Sequence, residues 1–295
     1  MSLVEQALKK LQATRSASGP EPVRPHVPPP ANQVQPPPMP RTPVDPSRVV
    51  VINRERLRAA GILPPQSDER RIAQDYRQIK RPLVDNALGR GTAAIPDGRL
   101  IMVASALPGD GKTFSSMNLA LSLALEKDLQ AVLVDADVAK PHISRLLGVE
   151  SEPGLLDALR DETLDIESLI LPTDVPGLSI LPAGRASETA TELLASSRMQ
   201  SLVGRIGASS LQRLVLFDSP PLLLTTESRA LTAAVGQVVL VVGAGSTPQR
   251  AVLDAIEMIG EGRSISLILN QCDENARNDY YQKFYGTSAP SAETK

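Results

Sequence analysis

The 295-residue sequence is short of the residue types that would staple it, metallate it or anchor it in a bilayer. Its one cysteine, Cys272, cannot close an internal disulfide, and with only two histidines it cannot complete a Cys/His zinc site. Tryptophan is absent, and four tyrosines and three phenylalanines are the only aromatics, so an aliphatic core is expected. No stretch reaches the roughly 18 uninterrupted apolar residues of a membrane helix. The nearest, residues 230–245, is broken by Thr232 and Gln237. The first residues lack a basic-then-apolar leader pattern, so a cytoplasmic chain is expected. Basic residues number 31 and acidic ones 33, a balance without the cationic excess of a nucleic-acid-coating protein.

Proline is concentrated: 12 of the 26 fall between Pro20 and Pro46, among few large apolar residues. Residues 16–48 therefore read as a disordered, polyproline-leaning tether, with an ordered arm as the alternative. Ahead of it, residues 1–15 hold a helix signal. Ser2 and Glu5 form a capping box, and Leu3, Val4, Ala7, Leu8 and Leu11 share a face. Such a short helix needs a docking surface, on this chain's own core, a partner or a membrane. Residues 49–272 read as one domain, whose first part, 49–98, is helical. There a strand-like run, 49–52, leads to a helix capped by Asn53 and stopped by Gly61. A second, basic helix is expected from Glu69 to Arg81, ending ahead of Pro82.

From Arg99 apolar strands alternate with amphipathic helices, the pattern of a mostly parallel α/β sheet. Strands are expected at 100–105, 130–134, 178–181, 211–217, 237–242 and 265–269. The clearest helices are 113–126, 191–206 and 248–261, the last with Thr247 as cap. After Cys272 the chain turns polar, and residues 273–295 read as a flexible tail.

The strongest chemical signal is residues 106–113, Ala-Leu-Pro-Gly-Asp-Gly-Lys-Thr, between a strand and a helix. That context turns a small-residue loop into a phosphate cradle, although alanine stands at the usual first glycine. Pro108, Gly109, Asp110, Gly111, Lys112, Thr113 and Phe114 form the expected ATP contact. Lys112 reaches the β/γ oxygens, and Thr113 can ligate Mg²⁺. A second strand ends in Asp135-Ala136-Asp137, and a third in Asp218-Ser219-Pro220-Pro221. Carboxylates beside a triphosphate repel it unless a cation intervenes, which again implies Mg²⁺. Asn270 follows the last strand, where it either pairs with adenine or simply forms a turn. Three of the four tyrosines, Tyr280, Tyr281 and Tyr285, crowd into the tail, as phosphoryl acceptors or as an aromatic docking patch.

Taken together these residues resemble the bacterial tyrosine kinases, the P-loop autokinases of capsule and exopolysaccharide synthesis, and among them the exosortase-associated autokinases. The resemblance also rests on residues 56–61 (Arg-Leu-Arg-Ala-Ala-Gly), 76–83 (Tyr-Arg-Gln-Ile-Lys-Arg-Pro-Leu) and 192–196 (Glu-Leu-Leu-Ala-Ser). It implies a P-loop NTPase-type fold and an ATP-dependent tyrosine autokinase that phosphorylates the tail of another copy. Lys112, Asp135, Asp137 and Asp218 would be catalytic. Among them Asp137 and Asp218, with Thr113, would hold the metal, and Asp135 would be the base for the tyrosine hydroxyl. The implied partners are further copies in a ring and a membrane co-polymerase that recruits the chain to the inner membrane. Tail phosphorylation would then loosen the ring and regulate the polysaccharide machinery. Three positions depart from the family pattern. The ring-forming Glu-x-x-Arg-x-x-Arg run reads Gln74-x-x-Arg77-x-x-Lys80, and the arginine two residues after Asp137 is Ala139, followed by Lys140. The competing readings are a MinD/ParA-like ATPase switch, whose signature lysine is replaced here by Leu107, and a non-catalytic ATP-binding scaffold.

Overall fold

A computed structural model describes residues 48–90 and 95–272. The 1–15 helix, nearly all of the proline tether and the tyrosine tail lie outside the described residues. Within them, the alternation of apolar runs and amphipathic segments resolves into a seven-stranded sheet of order β3-β4-β2-β5-β1-β6-β7. The strands are β1 (Leu100–Ser105), β2 (Gln130–Asp135), β3 (Leu171–Pro172), β4 (Leu178–Leu181), β5 (Arg213–Asp218), β6 (Gln237–Gly243) and β7 (Ser264–Asn270). All pairings are parallel except β3 with β4. Strands buried on both faces need apolar side chains at every position, which is why β1 reads Leu-Ile-Met-Val-Ala rather than alternating.

The pleat sorts these side chains into two cores. Met102, Val134, Phe217 and Leu240 face one layer, with Leu155, Leu202, Ile206 and Ile259. Ile101, Leu133, Leu216 and Val239 face the other, with Leu57, Leu83, Met117 and Leu123. That second layer contains three helices: α1 (Arg54–Ala59), α2 (Glu69–Ala87) and α3 (Lys112–Leu123). Because α2 covers α3, the helix behind the phosphate loop is buried almost all round. Asn53 caps α1 as expected, its side chain accepting from the Arg56 N–H.

Several elements depart from the sequence expectation for physical reasons. The run at 49–52 forms only a single bridge, Val50 to Thr173. Helix α2 does not stop at Arg81 but continues through Pro82 to Ala87. Pro82 and Gln78 both lie on the water side, so the Gln78 carbonyl that loses its helical donor can be hydrated, while Leu83 and Val84 hold the next turn in the core. The helix expected at 191–206 is two, Ala190–Leu194 and Ser197–Ala208, because Ser196 turns out to cap the second through the Met199 N–H. Pro248 occupies the cap position of the helix Gln249–Ile259. Thr247 has a different task, described below. Four short helices, among them α4 (His142–Leu147), carry too little periodicity to be seen in the sequence.

Candidate functional site

Parallel strands open their C-terminal ends onto one edge of the sheet, and the phosphate loop, Asp135 and Asp218 meet there. Asp135 and Asp218 are register partners on adjacent strands. The loop passes into α3 through Gly111, whose φ of 93° is left-handed. Any side chain at Gly111 would also collide with the Asn270 amide, so glycine is required twice over.

Lys112 is buried, and burial pushes its pKa down while Asp218, Asp137 and Asp110 act to raise it. The Asp218 carboxylate accepts from the Thr113 hydroxyl and from the Ser116 hydroxyl, both at 2.9 Å. Burial pushes Asp218 up to about 6, against those two hydrogen bonds. One Asp135 oxygen accepts from the Ser144 N–H (2.8 Å) and hydroxyl (2.7 Å), and the other is buried with no donor. Burial pushes its pKa up to about 7, opposed by Ser144. Asp137 is partly exposed and accepts from the Lys140 N–H at 3.2 Å. Burial raises its pKa, and that hydrogen bond, Lys112, Lys140 and Arg145 oppose the rise.

Pro108, Gly109, Gly111, Lys112, Thr113, Phe114 and Asp137 line a cleft of about 820 Å³, within the range of small-molecule sites. Ala139 and Lys140 line it as well, so a cation stands one position beyond the family's arginine. Three of the expected site residues are placed otherwise. Asp135 is fully enclosed, because it is still in sheet register where Asp137 has left it. The Asp110 carboxylate turns inward, accepting from the Leu107 N–H at 3.3 Å and the Thr247 hydroxyl at 2.6 Å. Asn270 donates its amide to the Asp110 carbonyl at 2.9 Å rather than facing the cleft. Tyr280, Tyr281 and Tyr285 lie outside the described residues.

The sequence reading missed the residues that brace this loop. Thr247 also accepts from the Gly243 N–H, and Gln271 donates to the Gly109 carbonyl at 2.8 Å. Thus the ends of β6 and β7 grip the loop from the side. Ser116 was detectable, one helical turn beyond Thr113. Ser144 and Gln271 carry no sequence signal of their role.

Two features fit a nucleotide-bound Mg²⁺. One is the hydroxyl–carboxylate contact of Thr113 with Asp218, and the other is the orphaned oxygen of Asp135. Among the described residues no three His, Cys, Asp or Glu side chains form a self-sufficient metal cage. Magnesium completed by phosphate oxygens and water needs none.

Residues 98–257 match the family model described as ParA, NUBPL iron-transfer P-loop NTPase. The crystal structure of the VpsO kinase domain is 30% identical, with a TM-score of 0.58, over 71% of this chain and 100% of that one. The tyrosine-protein kinase YwqD of Bacillus subtilis is 28% identical over 73% of this chain and 86% of its own length. ExoP of Rhizobium meliloti, a succinoglycan biosynthesis transport protein, is 31% identical over 62% of this chain but only 24% of its own. The chain spans about a quarter of the length of most of the curated relatives it matches. With its phosphate loop, strand-end carboxylates and full coverage of a kinase domain at this identity, the chain belongs to the ParA-type P-loop NTPases and, within them, to the bacterial tyrosine kinases.

Proposed function

We propose that the chain transfers the γ-phosphoryl group of ATP to tyrosine, with its own Tyr280, Tyr281 and Tyr285, offered by another copy, as acceptors. The observation that carries this reading is the Thr113–Asp218 contact beside buried Lys112, at the mouth of a cleft that also holds a carboxylate. The loop N–H groups and Lys112 bind and orient the phosphates. Thr113 and Asp218 would hold Mg²⁺, which when bound offsets charge on the phosphate oxygens, and Asp137, expected to share that task, lines the cleft. The phenolic oxygen bonds to the γ-phosphorus as the bond to the bridging oxygen breaks, and ADP departs with that electron pair. The phenol proton needs an acceptor within hydrogen-bond reach. Asp137 faces the cleft and Asp135 does not, so the base role is assigned to Asp137 in place of Asp135. Asn270 serves as a brace for the loop.

The relatives' names point to polysaccharide assembly, and the proposed setting is regulation of exopolysaccharide polymerisation or export with a membrane co-polymerase. Among the described residues no helix is long and apolar enough to cross a membrane. Lys80, expected on the ring-forming face, is buried and pairs with Glu126 at 2.6 Å, which leaves Arg77 as the exposed cation of that motif. Self-association would therefore rest on fewer charges than in the family pattern. Incubation with Mg-ATP followed by mass spectrometry tests the reading. Phosphate on the tail tyrosines is expected, and Lys112→Met should abolish it. ATP hydrolysis without phosphotyrosine would instead favour the ATPase switch.

A further inference from the structure

The cleft extends past the phosphate loop to a rim that is both apolar and cationic. Ile62, Leu146 and Leu224 supply an apolar strip there, and Leu224 is 62% exposed. Arg56, Lys140 and Arg145 supply three exposed cations. Among the described residues none of the three has a carboxylate within ion-pair distance. Two of them are nonetheless held in place. Arg56 reaches from α1 to donate to the Arg145 carbonyl at 3.1 Å, and Arg145 donates through Nε to the Pro141 carbonyl at 3.2 Å. Each guanidinium keeps further donors in the planar fork that suits a carboxylate.

We infer that Arg56, Lys140 and Arg145 form an acceptor subsite that selects tyrosines preceded by an acidic residue, the apolar strip receiving the ring. This inference rests on the phosphotransfer reading and names its substrate class: a tyrosyl peptide with a carboxylate just before the tyrosine. Charge complementarity with the chain's own sequence points to that occupant. Asp279 immediately precedes Tyr280 and stands two residues before Tyr281, whereas Tyr285 follows Lys283 and Phe284. One tail thus carries both a favoured and a disfavoured acceptor.

The test uses the full chain with two fluorescein-labelled peptides of sequence 276–284, one natural and one with Asp279→Asn. Anisotropy should show tighter binding of the natural peptide, and its kcat/KM should be about five-fold higher, the scale of an exposed ion pair. Arg56→Gln and Arg145→Gln should each narrow that preference and leave the KM for ATP unchanged, and Lys140→Gln should narrow it as well. In the intact chain, Tyr280 and Tyr281 should gain phosphate before Tyr285. Equal binding and turnover of the two peptides would overturn the subsite. So would variants that raise the KM for ATP alone, since the cations would then belong to the nucleotide. Selective binding with no phosphotyrosine would uphold the subsite while defeating the kinase reading, so the two failures are distinguishable.

Discussion

A carboxylate inside a phosphate loop repels the ligand that the loop must bind, yet Asp110 sits there, only 3% exposed. Its hydrogen bonds explain the tolerance. Thr247 and the Leu107 N–H occupy its oxygens, so the charge is turned away from the cleft and used to shape the loop. Replacing Thr247 by valine keeps the volume and removes the hydroxyl. The KM for ATP should then rise about five- to ten-fold with little change in kcat, the scale of one net hydrogen bond. Thr247→Ser should restore it. Equal steady-state constants for the valine and native proteins would show that the brace does not reach the nucleotide. The residue types at the loop, Gly-Lys-Thr and the strand-end aspartates, were legible because their chemistry is local. Thr247 and Gln271 were not, because they lie 137 and 162 positions from their partners Asp110 and Gly109.

Helix α2 shows how an element can be rightly located and wrongly assigned. Its basic composition suggested a surface for other copies, but one of those cations faces inward. Lys80 donates to the Ser122 carbonyl near the end of α3 and pairs with Glu126, so it closes the C-terminal turn of the phosphate-loop helix. Lys80→Met should cost about 1–3 kcal/mol, seen as a melting-temperature fall of several degrees, because the buried Ser122 carbonyl loses its charged donor. Arg81→Met, on the exposed face, should leave the melt unchanged and serves as the control. A run of like charges shows that a helix is amphipathic. Which members of the run face a neighbour depends on the rotation that packing imposes.

For the molecule as a whole, burying unneutralised carboxylates in an empty site has a cost that depends on pH. Asp135 and Asp218 are pushed up to about 7 and about 6 from an ordinary 3.8, both by burial. The folded protein therefore holds protons that the unfolded chain has already released between about pH 4 and 7. Stability contributed by the two neutral acids is lost as pH rises through that window. In chelator, the melting temperature should fall from pH 5 to pH 8, and Asp135→Asn should flatten the slope. Saturating Mg-ATP binds only the folded state, so at about 100 times Kd it should add roughly 2.7 kcal/mol. At one fixed concentration of Mg-ATP the gain should be larger at pH 8 than at pH 5, and removal of magnesium should reverse it. A melting temperature independent of pH in the free protein would mean that the two acids are not held neutral by the fold.

What could be read from the sequence follows its two local regularities. Apolar periodicity located the six longer strands, because a strand buried on both faces must be apolar at every position. The loop motif located the phosphate site, because its glycine and lysine act within eight consecutive residues. Tertiary structure alone decided which carboxylate faces the cleft, since Asp135 and Asp137 differ only in whether the chain has left the sheet. It alone joined the Asp110 carboxylate to Thr247 and the Asn270 amide to the Asp110 carbonyl, and it buried Lys80 while leaving Arg56, Lys140 and Arg145 on the rim. Each of these depends on contacts between segments far apart in the chain, and residue spacing carries no record of them.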